Sequence, residues 1–114
     1  MTRTDLELVT DALDHLDHLH RHLAGQDIRQ ETVADAVAMR LSAAIEALAK
    51  LPKATLTETF GDDWDLMWAT RNRIAHSYVF IDYDIIRATV CEDLPGVETK
   101  LKDLQARLQP PTDK

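Results

Sequence analysis

Glycine and proline are scarce in this chain of 114 residues, with three of the first and four of the second. So few breakers allow few turns, which argues against many short strands and for a small number of long helices. The single cysteine, Cys91, excludes an internal disulfide framework and fits a reducing compartment. No apolar run approaches the ~20 residues that a membrane span needs. The first residues, Met1 to Asp5, lack the basic start and apolar stretch of a signal peptide. These absences predict a cytoplasmic protein without a membrane contact. Positive charge is also short, because the formal net charge is −7. A chain this acidic is no general coater of nucleic acid, since such binders rely on widespread cation–phosphate contacts. Any nucleic-acid chemistry must be concentrated at one site, and the field suits a basic partner surface.

What is present is amphipathic helix. Hydrophobic residues make up 45% and charged residues 29%, a globular balance. The length predicts one domain, 1–114, with a core over about 4–108 and a flexible tail at 109–114. A first helix is expected over 4–24, with Leu6, Val9, Leu13, Leu16, His20 and Leu23 on one face. Thr4 and Glu7 form a capping box, and Gly25 stands where a helix stops. A short polar link, 26–31, makes the next helix an antiparallel neighbour. That helix runs from about Glu31 to Leu51 and is closed by Pro52. Its stripe is Val33, Val37, Leu41, Ala44, Ile45 and Leu48, while Met39, Ala43 and Ala47 on another face allow close approach of a second surface. Residues 52–62 lack a sustained period and read as a loop with at most a short helical turn. A third helix starts near Trp64, capped by Asp62 or Asp63, and ends around Tyr78 to Phe80. Asp82 caps a fourth, Tyr83 to about Asp93. Pro95-Gly96 breaks it before a last helix that ends near Leu108.

His15, His18, His20 and His22 invite a metal reading, since His18 and His22 are one turn apart with Asp14 a turn earlier. The plainer reading is a solvated face. His20 falls on the apolar stripe, and no cysteine or dense carboxylate set joins in, so no metal is assigned.

The chemistry gathers in Arg71-Asn72-Arg73-Ile74-Ala75-His76-Ser77-Tyr78. At about 100° per residue, Asn72 and His76 share one edge of the helix, and Arg71 and Tyr78 share another. Ala75, Trp64 and Trp68 lie between these edges. A flat apolar middle with polar margins suits packing against a partner helix. Histidine exchanges protons near neutrality, and arginine holds phosphate through paired hydrogen bonds. Asparagine can orient a histidine or a phosphate oxygen. No carboxylate cluster supports a two-metal nuclease. The set is the minimum for metal-independent RNA cleavage, in which a base activates the ribose 2′-hydroxyl and cations stabilise the phosphorane. The bland alternative is a structural network in which Arg71, Asn72 and His76 cap helices. One histidine per chain is thin for acid–base work, and a symmetric dimer would double every group. Arg40, bordering the second helix's stripe, and Arg73 are candidates for supporting RNA contact. Arg40 could equally lay its stem on the apolar edge with its charge in water.

The order of Arg71, Asn72, His76 and Tyr78 resembles the signature of HEPN-domain ribonucleases, specifically the HepT-like toxins of prokaryotic HEPN–MNT toxin–antitoxin pairs. Asp35-Ala36-Val37, Arg40-Leu41 and Ile45-Glu46-Ala47 are similar to that family's second-helix pattern, and Trp64 to its tryptophan ahead of the motif. Asp82, Ile85 and Asp93-Leu94-Pro95 look like its fourth-helix segment. The likeness covers about residues 5–108. It departs where Ala44-Ile45 stands in place of a frequent glycine, and in the acidic stretch Asp62 to Asp65, whose charge opposes RNA.

The resemblance implies an all-α, compact four- to five-helix HEPN-type bundle with a long antiparallel helix hairpin, dimerising through the motif helix. Trp64, Trp68 and Ala75 would form the seam. It implies a type VII toxin, a metal-independent endoribonuclease that cuts tRNA or mRNA by 2′-hydroxyl attack and needs no cofactor. Arg71 would hold the scissile phosphate, His76 would move the proton and Asn72 would support it. A cognate nucleotidyltransferase antitoxin of the MNT type would neutralise the toxin, with Tyr78 the residue that receives AMP. The alternative is an inactive HEPN-like subunit that scaffolds the nucleotidyltransferase.

Overall fold

A computed structural model describes residues 3–76 and 83–110. Five helical rods make up these residues, with no strand among them. Helix α1 spans Asp5–Leu23 and α2 spans Glu31–Leu48. A short α3, Lys53–Phe60, leads into α4, Asp63–His76. The fifth rod is compound. It joins α5, Tyr83–Ala88, through a π-helical turn, Thr89–Asp93, to α6, Leu94–Leu108.

The α1–α2 hairpin is the centre of the bundle. Thr4 starts α1 as expected: its Oγ1 accepts the Glu7 N–H at 3.1 Å, and its own N–H donates to Glu7 Oε1 at 3.0 Å. Gly25, at φ +69°, lets the chain leave the helix in the left-handed region. In the link, Asp27 Oδ1 accepts the Arg29 N–H at 2.9 Å, and Ile28 tucks inward. The predicted stripe of α2 is buried throughout, from Val33 to Leu48.

The buried face of α1 is rotated from the one its leucines suggest. Leu8, Val9, Ala12, Leu16 and Leu19 are buried, whereas Leu6 and Leu13 are half-buried. His20 is exposed, with Nε2 2.8 Å from Glu98 Oε1. The shift is about 60° at 100° per residue. Leucine occurs on both flanks of α1, and only packing against α2 and α6 together selects the arc between them.

Two further boundaries differ from expectation. Residues 52–62 hold a real helix, because Leu56 and Phe60 lie one turn apart and both are buried. Pro52 precedes it and Gly61, at φ +57°, ends it. Pro95-Gly96 does not break the last rod. Proline has no N–H and its ring clashes with the carbonyl four residues back in an α-helix. The π turn widens the ladder just ahead of it, with the Leu94 N–H reaching Thr89 O. The rod continues, burying Val90, Leu94, Leu101 and Leu104 along one side. Tyr78 and Asp82 lie outside the described residues.

The capping box makes one pH-dependent contribution to stability. The Thr4 backbone N–H, then the Thr4 hydroxyl and Arg3, hold the Glu7 carboxyl below its ordinary 4.5. A depressed carboxyl stabilises the folded chain above the unfolded value and loses that effect as pH falls through the folded one. In denaturant titrations, the parent should therefore exceed Glu7→Gln in stability above pH 4.5, and the gap should close in more acidic buffer. A gap that stays constant to pH ~2 would show that the carboxylate charge contributes nothing.

Candidate functional site

Helix α4 carries the polar motif, and it is the one helix in the described residues with no buried residue. Trp64, Met67, Trp68 and Ile74 are only partly covered by the core beneath them. Asp63 and Asp65 sit in its first turn and Arg73 and His76 in its last, which complements the helix dipole.

Aromatic rings lead up to the motif. Phe60 stacks on Trp64 with centroids 6.2 Å apart, and Trp64 on Trp68 at 6.1 Å. The stack crosses Gly61 and so ties α3 to α4. Arg71 caps it, with Cζ 4.9 Å from the Trp68 ring centroid. Such contacts are each worth about 0.5–1.5 kcal/mol beyond the area they bury.

The Arg71 guanidinium is also held at its rim. Nε donates to Glu46 Oε1 at 3.0 Å, and Nη2 donates to the same oxygen. Nη1 donates to Asn72 Oδ1 at 3.0 Å. A guanidinium has five N–H donors, and these bonds use three. Two remain to receive a phosphate oxygen. The side chain is thus fixed in plane and direction by Trp68, Glu46 and Asn72, an ordered cation on a half-buried edge. His76, one turn beyond Asn72, is exposed. Ala75 is half-buried between the two edges.

Arg71 and Asn72 are therefore brought into direct contact. The two arginines considered as supporting cations are not brought to them. Arg40 turns toward α1, donating from Nη1 to His15 Nδ1 at 3.1 Å, and stands about 120° from Glu46 around α2. Arg73 is exposed on the opposite side of α4 from Arg71. Trp64 and Trp68, expected in a dimer seam, pack on their own chain's core.

Sequence reasoning missed Glu46 as a partner of Arg71. Its signal was a lone carboxylate in the otherwise apolar Ala43–Ala49 stretch, off the buried stripe of α2. It also missed the contact from His15 to Arg40. The other α1 histidines point elsewhere: His18 Nδ1–H donates to the Asp14 carbonyl at 2.8 Å, and His20 meets Glu98. No three His, Cys, Asp or Glu side chains gather around a metal-sized space among the described residues.

A family model for HepT-like ribonucleases matches residues 9–104, nearly the whole described bundle. The chain belongs to the HepT-like ribonuclease family. No curated protein and no solved structure matches it at a significant level. The matched span takes in the α1–α2 hairpin, the Glu46–Arg71 contact and the motif edge of α4, so the HepT-like assignment covers the frame and the candidate site together. No helix of the described HepT-like bundle is long and apolar enough to cross a membrane.

Glu46 is about half exposed and Arg71 about a quarter, which limits what their pairing adds to stability. Glu46→Ala should shift unfolding by less than ~1 kcal/mol. It should nevertheless speed solvent exchange of the Arg71 Nε proton, read by NMR. Unchanged exchange would mean that Trp68 and Asn72 alone hold the guanidinium.

Proposed function

We propose that the protein is a metal-independent endoribonuclease and the toxin of a HEPN–MNT toxin–antitoxin pair. The observation that carries this reading is the ordered Arg71, clamped by Trp68, Glu46 and Asn72 on a helix that buries none of its residues. An exposed helix with a half-covered apolar centre favours a second copy packing across Trp64, Trp68 and Ala75. Such a dimer would set two Arg71–Asn72–His76 edges about one cleft.

In that cleft, the His76 imidazole of one copy would take the proton of the ribose 2′-hydroxyl. The freed oxygen attacks phosphorus while the bond to the 5′-oxygen breaks, and that oxygen takes a proton from the second copy's imidazolium. The products are a 2′,3′-cyclic phosphate and a 5′-hydroxyl. The two spare N–H groups of Arg71 would bind the phosphorane oxygens, where charge is greatest. Asn72 would hold Arg71 in register. Tyr78, two residues beyond His76, would accept AMP from a cognate nucleotidyltransferase, and the bulky anion would block an RNA cleft. The RNA substrate class is tRNA or mRNA, and the cytoplasm is where both occur.

A second reading draws on Glu46. Its carboxylate lies on the same guanidinium that phosphate would need, and Asp63 and Asp65 stand in the first turn of α4 with Asp62 just before it. A cation already neutralised supports an inactive HEPN-like subunit that scaffolds the nucleotidyltransferase.

Incubation of the purified protein with tRNA and mRNA in EDTA separates the two. Cleavage ending in cyclic phosphate is expected, lost by at least ~100-fold in Arg71→Ala and in His76→Ala. Variants that cut as the parent does would overturn the mechanism, and an inert parent would favour the scaffold.

The interface and the switch are tested by mass. Ala75→Arg should convert a dimer to a monomer in sedimentation, and an intact dimer would move the interface off α4. With the nucleotidyltransferase and ATP, the parent should gain AMP and Tyr78→Phe should not; an adduct on that variant would assign modification to another residue.

A further inference from the structure

Helix α4 has a second working face. A cleft of about 270 Å³ opens between α2, α4 and the junction of the π turn with α6. Its floor is apolar, built from Leu41, Ile45 and Leu48 of α2, Met67 of α4, and Leu94 and Val97 of α6. Leu66 forms part of its wall and is 68% exposed, the most exposed large apolar side chain described. Leu66 at the mouth extends the apolar floor outward, so the two form one continuous apolar surface that a partner side chain can cover.

The rim is charged. Lys100 Nζ meets Asp63 Oδ2 at 3.1 Å, so that pair neutralises itself and ties α4 to α6. Glu92 and Asp93 also line the cleft, and both are exposed. Neither joins an ion pair among the described residues. Three carboxylates against one ammonium leave the rim negative, the same sign as the whole chain.

These properties select the occupant. The volume stands at the low end of ligand sites and has room for one large side chain. Rim carboxylates repel RNA phosphate and anionic lipid headgroups. A second copy of this chain could offer its exposed Met39, but the neighbouring Arg40 is turned inward to His15 and brings no free cation. The widened π turn itself carries Glu92 and Asp93 to the rim, and π turns recur at functional positions.

We propose that this cleft docks a protein partner through a short segment with one large apolar side chain next to Lys or Arg. The apolar group fills the floor and covers Leu66, and the cation meets Glu92 and Asp93. Around α4, the cleft residues Asp63, Met67 and Thr70 stand about a third of a turn from Trp64, Trp68 and Arg71. A partner held here leaves the motif edge and its seam open. The proposal goes beyond the ribonuclease reading and does not depend on it.

The test is to pan a random 12-residue peptide library against the full chain and measure the selected peptides by fluorescence anisotropy. Peptides pairing a Leu, Phe or Trp with Lys or Arg are expected. Their affinity should fall about tenfold or more in the double variant Glu92→Lys, Asp93→Lys, and also in Thr70→Trp, which fills the cleft. The control Asp35→Lys, Asp103→Lys, an equal pair of charge reversals at exposed residues outside the cleft lining, should leave it within about twofold. Circular dichroism checks each fold, and Leu66→Ser replaces Thr70→Trp if the latter does not fold. The proposal is overturned if no apolar–basic consensus emerges, or if the peptides bind the cleft variants as they bind the parent. Self-association of the parent that the double charge variant abolishes would give the cleft to a second copy and overturn it as well.

Discussion

The apolar seam between α1 and α2 is what every other part of this bundle rests on. Val9, Ala12, Leu16 and Leu19 of α1 meet Val37, Leu41, Ala44 and Leu48 of α2, and none is more than 3% exposed. Burying the valines and leucines of this seam stabilises by roughly 1.5–3 kcal/mol each, before the entropy of ordering them is counted. Helix α4 has no such resource. It is held by half-buried tryptophans, by Met67 and Ile74, and by ion pairs to Glu46 and Lys100. The helix that carries the polar motif is therefore a rider on a buried pair, which leaves its outer surface open.

That arrangement explains how a surface arginine becomes ordered. An arginine in water samples many rotamers, and fixing it costs up to ~2 kcal/mol of side-chain entropy. Here a ring beneath it, a carboxylate beside it and a carboxamide ahead of it share that cost. The same carboxylate lowers the positive field that a phosphate would feel. Order and charge oppose each other at Arg71, because the carboxylate that fixes the guanidinium also offsets its charge.

Charge is also divided around α4. Its motif side carries Arg71 on one edge and His76 on the other, while its cleft side is bounded by Asp63, Glu92 and Asp93. The carboxylates of the cleft side repel phosphate and attract a basic segment, while on the motif side Glu46 offsets the charge of Arg71. A chain of net charge −7 can in this manner offer one narrow cationic edge without becoming a general nucleic-acid binder.

Periodicity and composition by themselves determined the helical class, the hairpin, the capping box at Thr4 and Glu7, and the buried stripe of α2. Those features follow from local rules, in which side-chain spacing and breakers act within a few residues. The motif also stood out, because Arg71, Asn72, His76 and Tyr78 are clustered along the chain, and its likeness to HepT-like ribonucleases agrees with the family found. The rest needed neighbours distant in sequence. The rotation of α1 was decided by two helices packing on it at once. The helix at Lys53–Phe60 was decided by the hollow that Leu56 and Phe60 fill. Passage through Pro95 depended on a π turn that no local pattern announces. Glu46 reached Arg71, 25 residues away, only because α2 and α4 lie side by side. Local sequence can say which residues are capable of chemistry, but the partners that set a side chain's direction and charge are chosen by packing.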